Sequence, residues 1–176
     1  MRTGVSAVKL LCAIAVAVPA LVATTAGGPP AAGATAAAPR CSTSGLVVWL
    51  DTQGNGAAGS VYYHLKLTNL SARTCTLFGY PGVSAVDLAG RQLGSAASRN
   101  AAHPPHLVTL ARGATASAVL QIVQAGNFPA SRCRPVTAAG LRVYPPNQTA
   151  AKIVPFPFSA CSRRGPVYLI VQATQL

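Results

Sequence analysis

The chain contains no glutamate, and Asp51 and Asp87 are its only acids among 176 residues. Any reaction that needs a pair of carboxylates, as in glycosidases and aspartic proteases, would have to use those two. Asp51 stands before a glycine-rich stretch and Asp87 before Leu88-Ala89-Gly90, both settings that aspartate takes in turns. A G-x-S-x-G elbow, a G-x-x-x-x-G-K-[ST] phosphate loop and an H-E-x-x-H motif are all missing. Aromatic residues make up only 6% of the chain and do not interleave with basic ones, so a nucleic acid strand would find no row of rings to stack on. From residue 40 onward no segment repeats its apolar residues at helical spacing over three turns. These absences point away from catalysis and from a cofactor, and toward a protein whose surface does its work.

One apolar run stands out, LLCAIAVAVPALVA at 10–23. It is shorter than the roughly 20 residues a membrane-spanning helix needs. With Arg2 and Lys9 ahead of it and small residues after it, the segment 1–26 reads as a secretory signal peptide. Cys12 lies near the start of the run rather than at its end, and no twin arginine precedes it. Export by the general route, without a lipid anchor and without a membrane span, is therefore expected. Residues 27–39 contain only Gly, Pro, Ala and Thr, so 27–40 reads as a flexible leader, and 41–176 as one domain large enough for a core.

Four cysteines fall in that domain, Cys41, Cys75, Cys133 and Cys161. An even number in an exported chain implies two disulfides, for which three connectivities are open. None of the spacings resembles a zinc knuckle. Sequential pairing, 41 with 75 and 133 with 161, closes the shortest loops and is the expected arrangement. It has an electrostatic consequence. Arg132 and Arg134 flank Cys133, and Arg163 and Arg164 follow Cys161, so the second bond would gather four arginines with no carboxylate beside them in sequence. Such a group would accept phosphate or carboxylate, which arginine grips through two parallel hydrogen bonds. Leaving aside Arg2 and Lys9, twelve basic residues face the two aspartates, a net charge of +10 for residues 40–176. An anionic envelope polymer or another envelope protein is the partner class this implies; a nucleic acid is not expected.

The clearest alternation is VYYHLKLTN at 61–69, with Val61, Tyr63, Leu65 and Leu67 on one face, and ATASAVLQIV at 114–123 repeats it. Further strands are expected in 45–50, 83–88, 106–110, 141–145 and 167–173, with turns at Gly54-Asn55-Gly56, Asn69-Leu70-Ser71, Ala89-Gly90-Arg91, Arg112-Gly113 and Pro145-Pro146-Asn147. Short strands with no helices between them indicate an all-β fold, an immunoglobulin-like antiparallel β-sandwich. In CTLFGYPGV (75–83), Thr76-Leu77-Phe78 is read as a strand ended by Gly79, followed by a type II turn at Tyr80-Pro81-Gly82 with Gly82 at positive φ. Tyr80 is expected to lay its ring on the end of the sandwich and to use its hydroxyl in a hydrogen bond. The stretch is thus a corner and not a site. The rings of PFPF (155–158) are expected to cap the core.

The histidines offer the alternative reading, a metal-binding or hydrolytic exported protein that uses His103 and His106. In HPPH (103–106) the two prolines enforce an extended chain, which places the imidazoles roughly 9 Å apart along its axis, too far for one ion. No metal site is expected there. His64 has no aspartate near it in sequence and reads as a surface residue.

The order of Cys41, GSVYYHLKLTN (59–69), CTLFGYPGV (75–83), DLAG (87–90), RGATASAVL (112–120), Cys133, LRVYPP (141–146), Cys161 and a C-terminal apolar strand resembles a known family. It is that of small exported actinobacterial domains of unknown function, marked by four cysteines and a C-x-L-x-G-Y-P-G-V block. The resemblance covers 41–176. It implies an immunoglobulin-like sandwich with two disulfides, and it brings no activity and no catalytic residue with it. The want of a lipidation cysteine groups this chain with the freely exported members.

Overall fold

The computed structural model describes residues 37–176 and, in isolation, Gly4. The expected signal peptide and residues 27–36 of the leader lie outside the described residues. The strands, in chain order, are β1 (Leu46–Ala57), β2 (Ser60–Asn69), β3 (Cys75–Phe78), β4 (Gly82–Val86), β5 (Gln92–Leu93), β6 (Ser98–Arg99), β7 (Leu107–Leu110), β8 (Thr115–Val123), β9 (Pro135–Tyr144), β10 (Lys152–Cys161) and β11 (Leu169–Val171). A single helical turn, α1 (Ala130–Cys133), precedes β9.

The strands form two layers. One sheet runs β1-β2-β8-β11-β6 and the other β10-β9-β4-β5, with a two-stranded β3-β7 piece beside them. The alternation in β2 and β8 explains the layering: Leu65, Leu67, Ala116, Ala118 and Leu120 are fully buried, while their neighbours Lys66 and Val119 are not. Leu65, Leu120 and Leu169 of the first sheet meet Val83, Leu141 and Val143 of the second in the main core. A second core holds Leu46, Leu67 and Ala116 against Leu77, Val108 and Leu110 of β3 and β7. The expected all-β sandwich with two disulfides is what forms: Cys41–Cys75 and Cys133–Cys161, with Cα atoms 4.9 and 4.5 Å apart.

Several local expectations need correction. Gly54-Asn55-Gly56 is not a turn but the far half of β1, where the pairing with β2 slips between Asp51 and Asn55. The turn comes later, at Ala58 and Gly59, both at positive φ (37° and 79°), as a two-residue hairpin requires. PFPF lies inside β10, a strand the sequence reading missed because proline argues against one. The physical reason it survives is position: β10 is the outermost strand of its sheet, where a missing N–H costs no ladder bond. β11 and β6 pair in parallel, so the first sheet is not wholly antiparallel. In the GYPG corner the left-handed residue is Gly79 (φ 114°), while Gly82 already opens β4 opposite Tyr144. Just ahead of Cys41, the Pro39 carbonyl accepts the Thr76 N–H (2.8 Å), which ties the end of the leader to β3.

Candidate functional site

The basic end of the sandwich is built where β9 begins and β10 ends. α1 presents Arg132, and Arg134 follows it before β9 starts at Pro135. Beyond the end of β10 at Cys161, the chain is stitched back to this turn. Ser162 donates its N–H (3.1 Å) and its hydroxyl (2.9 Å) to the Arg134 carbonyl, and Arg163 donates its N–H to the Cys133 carbonyl (3.2 Å). The disulfide beneath is fully buried. Arg132, Arg134, Arg163 and Arg164 are all exposed, so the structure gathers the four residues the sequence singled out. Arg163 Nη1 donates to the Ser131 carbonyl (3.1 Å), which leaves most of its donors turned to solvent. Among the described residues the only ion pair is Arg91 with Asp87 (2.9 Å), and no carboxylate neutralises the cluster.

Arg134 adopts a left-handed conformation (φ 48°, ψ 76°). For a residue with a Cβ this costs roughly 1–2 kcal/mol, and glycine would avoid the cost. A strained arginine in a helix-ending position that suits glycine is an outlier of the kind found at binding sites.

The histidine reading is less well served. His103 and His106 are both exposed on the loop before β7, and among the described residues no three His, Cys, Asp or Glu side chains come together as metal ligands do. His64 shows something the sequence hid. The β1–β2 register sets Asp51 directly opposite it, and Ser117 Oγ lies 3.5 Å from its Nδ1. Thirteen positions of chain separate Asp51 from His64, so only strand pairing reveals them as neighbours. The trio lies on the outer face of the sheet beside Lys66, and Asp51 Oδ1 already accepts the Gln53 N–H (3.2 Å).

A second concavity sits at the opposite end of β9. Its cleft, about 420 Å³, is lined by Phe78, Tyr80, Arg99, Tyr144, Asn147 and Gln148, with Pro105 and Pro145 completing the walls. It joins two turn-bearing blocks, GYPG (79–82) and YPPNQ (144–148). Tyr80 behaves as expected, donating its hydroxyl to the His103 carbonyl (2.9 Å), but it also carries the Arg99 guanidinium 5.6 Å above its ring. The missed signal was the Tyr-Pro pair in both blocks, with two amides added in the second. Only the β4–β9 pairing brings them together. The PFPF rings, by contrast, do cap the core. Phe156 meets Tyr63 edge-on (centroids 5.0 Å apart) and stacks on Phe158 (5.8 Å), beside a notch of about 250 Å³ between Val61, Ile122 and Ala125.

Among the described residues no helix is long and apolar enough to cross a membrane. No curated protein and no solved structure matches the chain. One family does match, over residues 41–174, which takes in both disulfides, the arginine cluster and the cleft. The chain belongs to that family, described as Domain of unknown function (DUF4232).

Proposed function

We propose that this chain is a non-catalytic extracellular binding module that holds an anionic polymer of the cell envelope on Arg132, Arg134, Arg163 and Arg164. The observation that carries this reading is the exposed, un-neutralised cluster assembled around the Cys133–Cys161 bond. Supporting it are the net charge of +10 over residues 40–176 and the left-handed backbone at Arg134. An extracellular setting is supported by the signal-like N-terminal sequence and by two disulfides, which persist in oxidising compartments. Each guanidinium grips phosphate or carboxylate in a fork, and each contact releases counterions, so affinity would fall steeply with salt.

The test is polyphosphate and teichoic acid binding across a salt series, for the native chain and for a variant with all four arginines changed to Gln. Binding that weakens with salt, and a slope of log affinity against log salt shallower by about 3 in the variant, is the expected result. An unchanged slope would show that the charge acts diffusely and would sink the assignment to these residues. Elemental analysis of the same oxidised protein addresses the rival: stoichiometric copper or zinc would favour the reading based on His103 and His106.

A further inference from the structure

The cleft at the other end of β9 is a separate binding site, and we propose that it takes an acidic oligosaccharide, a chain of uronate-type sugars. β9 spans ten residues, so the cleft lies roughly 30 Å from the arginine cluster and does not share its ligand contacts. The lining has the chemistry a sugar ring requires. A pyranose presents flat C–H faces that pack on aromatic rings, and Phe78 and Tyr144 supply such rings. Phe78 is 48% exposed despite its size. A sugar also offers hydroxyls around its rim that need partners of both kinds. Among the described residues no protein group takes the Tyr144 hydroxyl or the side-chain oxygens of Asn147 and Gln148.

The sign of the charge follows from Arg99, which is exposed, lines the cleft and has no acid among its lining neighbours. A carboxylate on the sugar would meet its guanidinium edge while Tyr80 supports its face. A smaller hollow of about 220 Å³ shares Phe78 and Asn147 as walls with the cleft and is lined by a further arginine, Arg40. An oligomer with a repeated acid fits that layout.

The site is also held in shape before any ligand arrives. Asn147 Nδ2 donates to the Phe78 carbonyl (2.9 Å), which locks the β9–β10 turn to the end of β3. Thr174 donates both its N–H (3.0 Å) and its hydroxyl (3.1 Å) to the Gly79 carbonyl. Gln148 N–H closes the turn on the Pro145 carbonyl (3.0 Å), with Asn147 at φ 59° in the place a type II turn reserves for Gly or Asn. A prepared cleft loses little entropy on binding, and 420 Å³ falls within the ~300–1,000 Å³ of small-ligand sites. An extended peptide is less well matched, because the backbone around the corner is already paired: Gly82 with Tyr144, and Gly79 with Thr174.

Amide chemical-shift mapping of the full domain tests this, with tetramers of galacturonate, of alginate and of hyaluronan as probes. We expect at least one to shift Arg99, Asn147 and Gln148 saturably, and to do so equally in the variant with Arg132, Arg134, Arg163 and Arg164 changed to Gln. The methyl-esterified galacturonate tetramer should bind about tenfold more weakly than the free acid, and Tyr144→Ala should weaken the best probe at least tenfold. Gln148→Ala, on a turn position outside the core, gives the same readout should the tyrosine variant not fold. The proposal is overturned if none of the three probes moves the cleft amides, or if the shifts fall on Arg163 and Arg164 instead. It is likewise overturned if inorganic polyphosphate or a proline-rich decapeptide occupies the cleft as tightly as the best sugar.

Discussion

Arg134 and Asn69 show how much single residues decide here. Asn69 is fully buried at the end of β2, and its side chain donates to the carbonyls of Arg73 (2.8 Å) and Leu110 (3.0 Å) while accepting from the Ser71 hydroxyl (2.6 Å). It satisfies backbone groups that would otherwise be stranded where the chain turns, and it binds that turn to β7. Arg134 does the opposite, since it occupies a backbone position that a glycine would relieve. We predict that Arg134→Gly stabilises the domain by about 1 kcal/mol in urea denaturation. The same change should shallow the salt slope of polyanion binding by about 0.7–0.9. A stabilised variant with unchanged binding would separate the strain from the function.

At the scale of elements, the two disulfides do different work. Cys41–Cys75 fastens the start of the domain to β3, inside the smaller core. Cys133–Cys161 fastens the beginning of β9 to the end of β10, and with them the two halves of the arginine cluster. Their loops of 34 and 28 residues imply about 3–4 kcal/mol each in the loop-entropy account. Replacing Cys133 and Cys161 together by Ala should cost about that much, and should weaken polyphosphate binding even in the fraction that stays folded. The matching change at Cys41 and Cys75 should cost a similar amount but leave the affinity of the folded fraction unaltered. Denaturation curves paired with binding isotherms check both halves. Strand existence was legible at this scale wherever apolar and polar residues alternate, as in β2 and β8. It was not legible in β10, because Pro155 and Pro157 are tolerated only by virtue of an edge that no local pattern announces. The arginine cluster was legible through its cysteines. The cleft was not, because Tyr80 and Tyr144 are neighbours only across the β4–β9 ladder.

The molecule as a whole has an unusual pH balance. With two carboxylate side chains in all, there is little for acid to protonate. Asp87 accepts the Arg91 N–H (2.8 Å) and its guanidinium Nε–H (2.9 Å), which together hold its carboxyl below the usual range. Its small contribution is therefore present at neutral pH and lost only in strong acid. On the alkaline side, Tyr168 is buried and donates its hydroxyl to the Leu93 carbonyl (2.8 Å), and burial pushes that hydroxyl well above its ordinary value of 10.0. A group whose folded value is raised stabilises fully below the unfolded value and loses that contribution as pH climbs past it. We predict a urea midpoint that changes little between pH 7 and 3. Above about pH 10 it should fall, by up to about 1.4 kcal/mol of stability per pH unit from this residue. Tyr168→Phe should be less stable at pH 7 by about 1 kcal/mol and flatter above pH 10.

The amino-acid order alone indicated the class of fold, favoured one of three cysteine pairings and singled out the four arginines, because alternation, loop length and adjacency are local properties that survive without coordinates. Strand pairing settled the rest. Which residues face each other across a ladder, whether a proline-bearing segment can be a strand, and whether two turns close over a shared hollow all depend on contacts between segments far apart in the chain. A hydrogen-bonded register, and no pattern along one strand, is what specifies them.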